Sequence, residues 1–186
     1  TEKLNYDNFD FDPKEYDALL LTHAHLDHCG RIPKLVRYGF RGKIYATDAT
    51  KELAFLIMTD SAKIAAEDTA NENKRRAKQG LPARKPIYNE FDVKNAMKLF
   101  VVVKYNQDVK ITKNIMAKFY DAGHILGSSV VVLEATYPAP SGHPSQEGIS
   151  KSPPSEGWPK AGVVLSERLV FTGDLGRNGA PLLPAP

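Results

Sequence analysis

His23-Ala24-His25-Leu26-Asp27-His28 sets three imidazoles and one carboxylate within six residues, between the apolar run Ala18-Leu19-Leu20-Leu21-Thr22 and Cys29-Gly30. Such a run makes a poor core, because the side chains are polar and crowded protonatable rings repel once charged. Imidazole nitrogen and carboxylate oxygen are the donors that a borderline cation such as zinc prefers. If the apolar run is a buried strand, His23 and His25 point the same way at its end, since side chains alternate with period two. Asp27 and His28 then fall on the turn beyond and can face a second ion.

Two more segments repeat the pattern. The apolar stretch 115–120 leads into Asp121-Ala122-Gly123-His124-Ile125-Leu126-Gly127-Ser128, and Leu169-Val170-Phe171-Thr172-Gly173 leads into Asp174. Each predicted strand therefore ends in a potential ligand, and strand ends are where open α/β sheets form binding sites. Of the five histidines, only His143 lies elsewhere, in a polar loop, where a solvated role is expected.

These motifs resemble the metallo-β-lactamase superfamily. HAHLDH at 23–28 carries its HxHxDH signature. THAHLDHCGRIPKL at 22–35, AGHILGS at 122–128 and TGDLGR at 172–177 are similar, more narrowly, to its β-CASP branch of RNase J-like nucleases and the polyadenylation cleavage subunit. The resemblance spans most of the chain and is weakest over 137–161. It implies an α/β fold, an αββα sandwich that is partial here, lacking early strands, the C-terminal portion and the cap domain.

The same resemblance places His23, His25 and His124 around one metal ion and Asp27 and His28 at a second, with Asp174 bridging. In the family a later histidine completes the second site, and no histidine follows Asp174 here. Two zinc ions are thus expected in the full-length enzyme, with the second site incomplete in this chain. Asp27 is the expected catalytic residue, orienting a metal-activated hydroxide and taking its proton. The implied activity is metal-dependent hydrolysis of a phosphodiester, with RNA as substrate. Two alternatives stay open: a hydrolase of a small ester, thioester or lactone, and a non-catalytic metal-binding scaffold subunit.

Composition sets wider bounds. At 186 residues, with 42% hydrophobic and 25% charged residues, the chain can bury a single globular core. No apolar run approaches the ~20 residues of a membrane span, and the polar, acidic start does not resemble a signal peptide. A single cysteine excludes an internal disulfide and fits a reducing compartment, so a cytoplasmic location is expected. A net charge of +3 permits a nucleic-acid partner without arguing for one. RNA is the partner the resemblance implies; a homo-oligomer is left open. The chain begins at Thr1 and stops just past a motif, so it reads as a fragment, a partial domain over 1–186.

The remaining elements follow from periodicity and punctuation. Asp12-Pro13-Lys14-Glu15 reads as a capped helical turn. A strand is expected over 17–22, a helix over 31–38 with Ile32, Leu35 and Val36 inward, and a strand over 43–46. A long helix starts near Ala49 with Leu53, Leu56, Ile57, Ile64 and Ala65 as its apolar stripe and runs to about Ala70 or as far as Gln79, with Gly80 and Pro82 as stop signals. A second helix, 89–99, is capped by Asn89, with Phe91, Val93, Ala96 and Met97 inward. Strands follow at 101–104, 109–112, 115–120, 129–136 and 163–172. Residues 137–161, rich in Pro, Ser and Gly, read as a surface insertion, with Trp158 pinning it back. Basic residues concentrate at 73–78 with Arg84 and Lys85. A solvated helix end is favoured there over a phosphate contact, since no aromatics interleave. Cys29 is expected to be a small buried residue, and Ser128 either approaches substrate or starts a strand.

Overall fold

The computed structural model describes residues 5–138 and 164–176. Its first element is a 3-10 turn, Pro13–Glu15, whose leading Asp12 carboxylate accepts from Lys14 N at 3.0 Å. Three strands, β1 (Ala18–Leu20), β2 (Lys43–Thr47) and β3 (Phe100–Val103), then form a parallel sheet in that order. Leu19 pairs with Ile44, and Ile44 with Phe100. Parallel neighbours need crossover connections. Here helices α1 (Leu26–Cys29) and α2 (Ile32–Arg37) lie between β1 and β2, and α3 (Asp48–Lys78) and α4 (Glu90–Met97) between β2 and β3. A second, antiparallel sheet runs in the order β4 (Asp108–Lys110), β5 (Ile115–Asp121), β6 (Ser129–Pro138), β7 (Val164–Phe171).

Alternation along β2 separates two cores. Ile44 and Ala46 pack with Ala54, Met58 and Ala62 of α3 and Val93 and Ala96 of α4. Tyr45 faces the other way and packs with Val103 and with Ala117, Phe119 and Val131 of the second sheet. The layers are therefore helices, parallel sheet, antiparallel sheet. No helix among the described residues is long and apolar enough to cross a membrane.

Three sequence expectations need correction. The face that α3 buries is Thr50, Ala54, Met58, Ala62 and Thr69, while Leu56 is 62% exposed and Ile64 52%. Four of these five side chains are small and suit close packing against the core, with Met58 the one large one, while Leu53 and Ile57 flank them, half-buried. Phe91 does not point inward but is 67% exposed. At about 100° per residue it lies some 200° around α4 from buried Val93. The strand expected over 17–22 is short, Ala18–Leu20, and the turn after it is a helical turn, α1.

The Asn89 cap is as expected: its side chain accepts from Phe91 N and Asp92 N, and the Asp92 carboxylate accepts from Asn89 N. The basic end of α3 folds back on its own loop. Arg76 donates to Pro82 O at 2.8 Å, and Asn73 exchanges two bonds with the Arg84 backbone. Buried Lys34 ties down the N-terminal segment, donating to Asn5 O and Asp7 O beside the Phe9 and Tyr38 rings. β6 extends through Tyr137 and Pro138, the latter paired with Val164. The rest of the expected insertion, with His143 and Trp158, lies outside the described residues.

Candidate metal centre

Backbone cross-ties bring the three ligand-bearing segments to one point. Past β1, Leu21 N donates to Tyr45 O, which prolongs the parallel pairing by one bond. The Thr22 carbonyl then accepts from both Ser129 N (2.8 Å) and Ser129 Oγ (3.0 Å), joining the first histidine run to the start of β6. The His25 carbonyl accepts from His28 N and Cys29 N, and this turn brings the His28 ring to 4.0 Å from that of His23, centroid to centroid. After β7, Gly173 has φ +55°, and a Cβ there would meet Thr22 Oγ1 at 2.9 Å; only glycine allows this approach. Gly176 N donates to Ala122 O at 2.9 Å, so the Asp174 segment is tied to the His124 loop.

The side chains converge accordingly. His23 Nε2 lies 3.1 Å from His25 Nδ1, and His124 Nε2 lies 3.2 Å from the same His25 atom. Asp174 Oδ2 is 3.4 Å from His124 Nε2, 3.6 Å from His23 Nε2 and 3.9 Å from His25 Nδ1. These four donor atoms all lie within 4.8 Å of one another. Around a tetrahedral ion with bonds of about 2.0–2.1 Å, donor atoms sit roughly 3.3–3.4 Å apart. The donor set therefore fits a cation in both chemistry and span. The other Asp174 oxygen, Oδ1, faces His28 Nε2 at 3.7 Å, and His28 Nε2 is 3.7 Å from Asp27 Oδ2. The two oxygens of one carboxylate thus look toward two groups of donors. All six residues singled out from the sequence, His23, His25, Asp27, His28, His124 and Asp174, fall in this one neighbourhood, with His28 and Asp27 on the Oδ1 side.

Burial and charge tune these groups. His23 is fully buried, and desolvation, followed by the neighbouring His28, lowers its pKa from 6.5 to about 4. It is held neutral near pH 7, the form that coordinates a metal. Nδ1 lies 3.1 Å from Thr22 Oγ1, so that with Nε2 on a metal ion the proton on Nδ1 would be donated to this hydroxyl. Asp27 is 79% exposed along its side chain. Cys29 is buried, donates to Ala24 O, and has its thiol pKa raised to about 11 by burial, so it stays a protonated packing residue. Ser128 is 1% exposed, and its Oγ accepts from His124 N and Ile125 N at 3.1 and 3.2 Å. It shapes the loop and does not face solvent. Thr22 escapes a reading based on donor types. The signal that marks it is its place directly before His23, where its hydroxyl can reach the ring.

A parallel sheet backed by helices, an antiparallel sheet on its other face, and three imidazoles with a carboxylate at their common end make a layered sandwich with a candidate metal centre. Residues 6–137 match the metallo-beta-lactamase superfamily domain, and the chain belongs to that superfamily. It is 34% identical over 185 residues to ribonuclease TTHA0252 of Thermus thermophilus, covering all of this chain and 32% of that protein. It is 41% identical over 123 residues to an RNase J-like protein of Methanocaldococcus jannaschii (66% of this chain, 24% of that protein). It is 36% identical over 126 residues to transcription termination factor FttA of Methanococcus maripaludis (68% of this chain, 18% of that protein). The chain thus spans a third or less of the length of these curated relatives, whose names agree with the β-CASP branch.

Proposed function

We propose that this chain carries metal-binding residues of a β-CASP-type, zinc-dependent hydrolase that cleaves RNA. The observation that carries the reading is the cluster of His23, His25, His124 and Asp174, with donor atoms all within 4.8 Å. In this proposal His23, His25 and His124 hold one ion, Asp27 and His28 contribute to a second, and Asp174 spans both. Ions held this way supply Lewis-acid stabilisation and lower the pKa of water. The protein's own part is positional. Buried His23 stays neutral, Thr22 fixes its ring, and Asp174 presents one oxygen to each side. Asp27, exposed and beside His28, is placed to accept a proton at Oδ2. RNA as the substrate is supported by relatives named as a ribonuclease and an RNase J-like protein. The proposal includes a cytoplasmic setting, in keeping with the lone cysteine, and a partial domain over 1–186.

The test is hydrolysis of end-labelled RNA by the intact protein, with and without chelator, beside the Asp27→Asn variant. Cleavage should vanish with chelator and return with zinc. Asp27→Asn should lower the rate by about 10²-fold or more while leaving the thermal midpoint near that of the parent. Turnover of a thioester or lactone without RNA cleavage would favour the small-molecule alternative. Bound metal with no hydrolysis of any kind would favour a scaffold.

A further inference from the structure

We propose that Thr47 and Thr50, at the start of α3, are positioning residues for His124, acting through the carbonyl of Gly127. The inference rests on the reading that His124 holds a metal ion. Both hydroxyls lie 2.7 Å from Gly127 O, so this one carbonyl accepts two short bonds. Both threonines are buried, Thr50 completely. Capping the helix accounts for only part of this. Thr47 is the N-cap, and its Oγ1 accepts from Thr50 N at 3.3 Å, as a capping hydroxyl should. The Thr50 hydroxyl does nothing for the helix. It sits at the third helical position, where a β-branched residue is no asset, and it donates outward to a loop 77 residues away. Two other threonines of α3, half-buried Thr59 and buried Thr69, have buried hydroxyls with no hydrogen-bond partner among the described residues. Burial on this helix therefore does not by itself create such a bond.

The loop has other ties, Ser128 N donating to Ile125 O at 2.9 Å and Tyr105 Oη to Ser128 O at 2.8 Å, but the two threonines are what meets its tip at Gly127. Gly127 adopts φ +82°, and a Cβ there would meet Thr50 N at 2.6 Å and Thr47 Oγ1 at 2.8 Å. The turn is thus pressed against the helix start, with a glycine where any side chain would lift it off. From Gly127 the constraint passes one residue to Ser128, whose Oγ accepts from His124 N and Ile125 N. The His124 ring then reaches within 3.2 Å of His25 and 3.4 Å of Asp174. The clamp thus fixes one donor of the cluster from an element that contributes no donor itself. Groups bonded directly to metal ligands commonly account for about 10–100-fold in metal affinity, and these threonines act one step further back, through Gly127 and Ser128.

The experiment is Co(II) binding by the intact protein, read by its visible spectrum and by chelator competition, with the thermal midpoint of each metal-free variant recorded alongside. Thr50→Val keeps the shape and removes the donor, Thr50→Ser restores the donor, and Thr69→Val is the control on the same helix. Thr47→Asp keeps a strong helix cap but cannot donate to Gly127, so it serves if Thr50→Val does not fold. Thr50→Val and Thr47→Asp should each weaken Co(II) binding about tenfold or more and alter the spectrum, while Thr50→Ser and Thr69→Val should stay within about twofold of the parent. Parental affinity and spectrum in both donor-deleted variants would overturn the inference and leave the proposed function standing. A parent protein that takes up no Co(II) would overturn both.

Discussion

Tyr105 shows how a single residue can support the site without belonging to it. Its hydroxyl donates to Ser128 O at 2.8 Å, on the residue whose side chain shapes the His124 loop. Burial, then the Asp121 charge, raises its pKa from 10.0 to about 12. In alkali the unfolded chain loses this proton first, so the stability it contributes is whole below pH 10 and is lost as pH rises toward about 12. Between about pH 9 and 11 the urea midpoint of the parent should therefore fall more steeply than that of Tyr105→Phe. Equal slopes would contradict the assignment. Donor chemistry at this scale was legible: His23, His25 and His28 stand together in the chain, and their element preferences are plain. The hydroxyl partners were not. Ser129 meets Thr22 across 107 residues, and Thr47 meets Gly127 across 80. Such pairings depend on which loops fold together, which side-chain type does not reveal.

Among the elements, α3 separates length from orientation. Its start followed from the sequence, its end at Lys78 lies near the later of two ends the sequence allowed, about Ala70 or Gln79, and its buried face did not follow at all. The large residues Leu56 and Ile64 lie in solvent, while Ala54 and Ala62 touch the core at 0% and 1% exposure. Sequence periodicity weighs a leucine above an alanine, whereas a closely packed helix needs room more than bulk. Ala62→Leu should accordingly destabilise the fold by about 1–3 kcal/mol through overpacking. Leu56→Ala should stay within about 0.5 kcal/mol. Urea denaturation of both variants checks the pair, and a reversed order would show that the face has been misplaced. The Asn89 cap and the Asp12 turn were legible because each depends on contacts within three residues. The helical turn α1 was not anticipated, since a ligand-rich run carries no apolar period to mark it.

For the molecule as a whole, two sheets place three sequence-distant segments at one end. β1 delivers His23 and His25, the β5–β6 loop delivers His124, and the exit of β7 delivers Asp174. This convergence was legible because each apolar run ends in a potential donor. What the sequence did not display was the means: Thr22 to Ser129, Gly176 to Ala122, and the Gly127 clamp. β7 ends the antiparallel order, with Leu169, Val170 and Phe171 each at least 50% exposed. The chain spans a third or less of the length of the curated relatives it matches, so the intact protein is the proper subject of every binding test.

The most direct measurement is elemental analysis of the purified intact protein beside His23→Ala and His124→Ala. The parent should retain tightly bound zinc, and each variant should lose it from the cluster formed by these residues with His25 and Asp174. Unchanged metal stoichiometry in both variants would contradict the account at its centre.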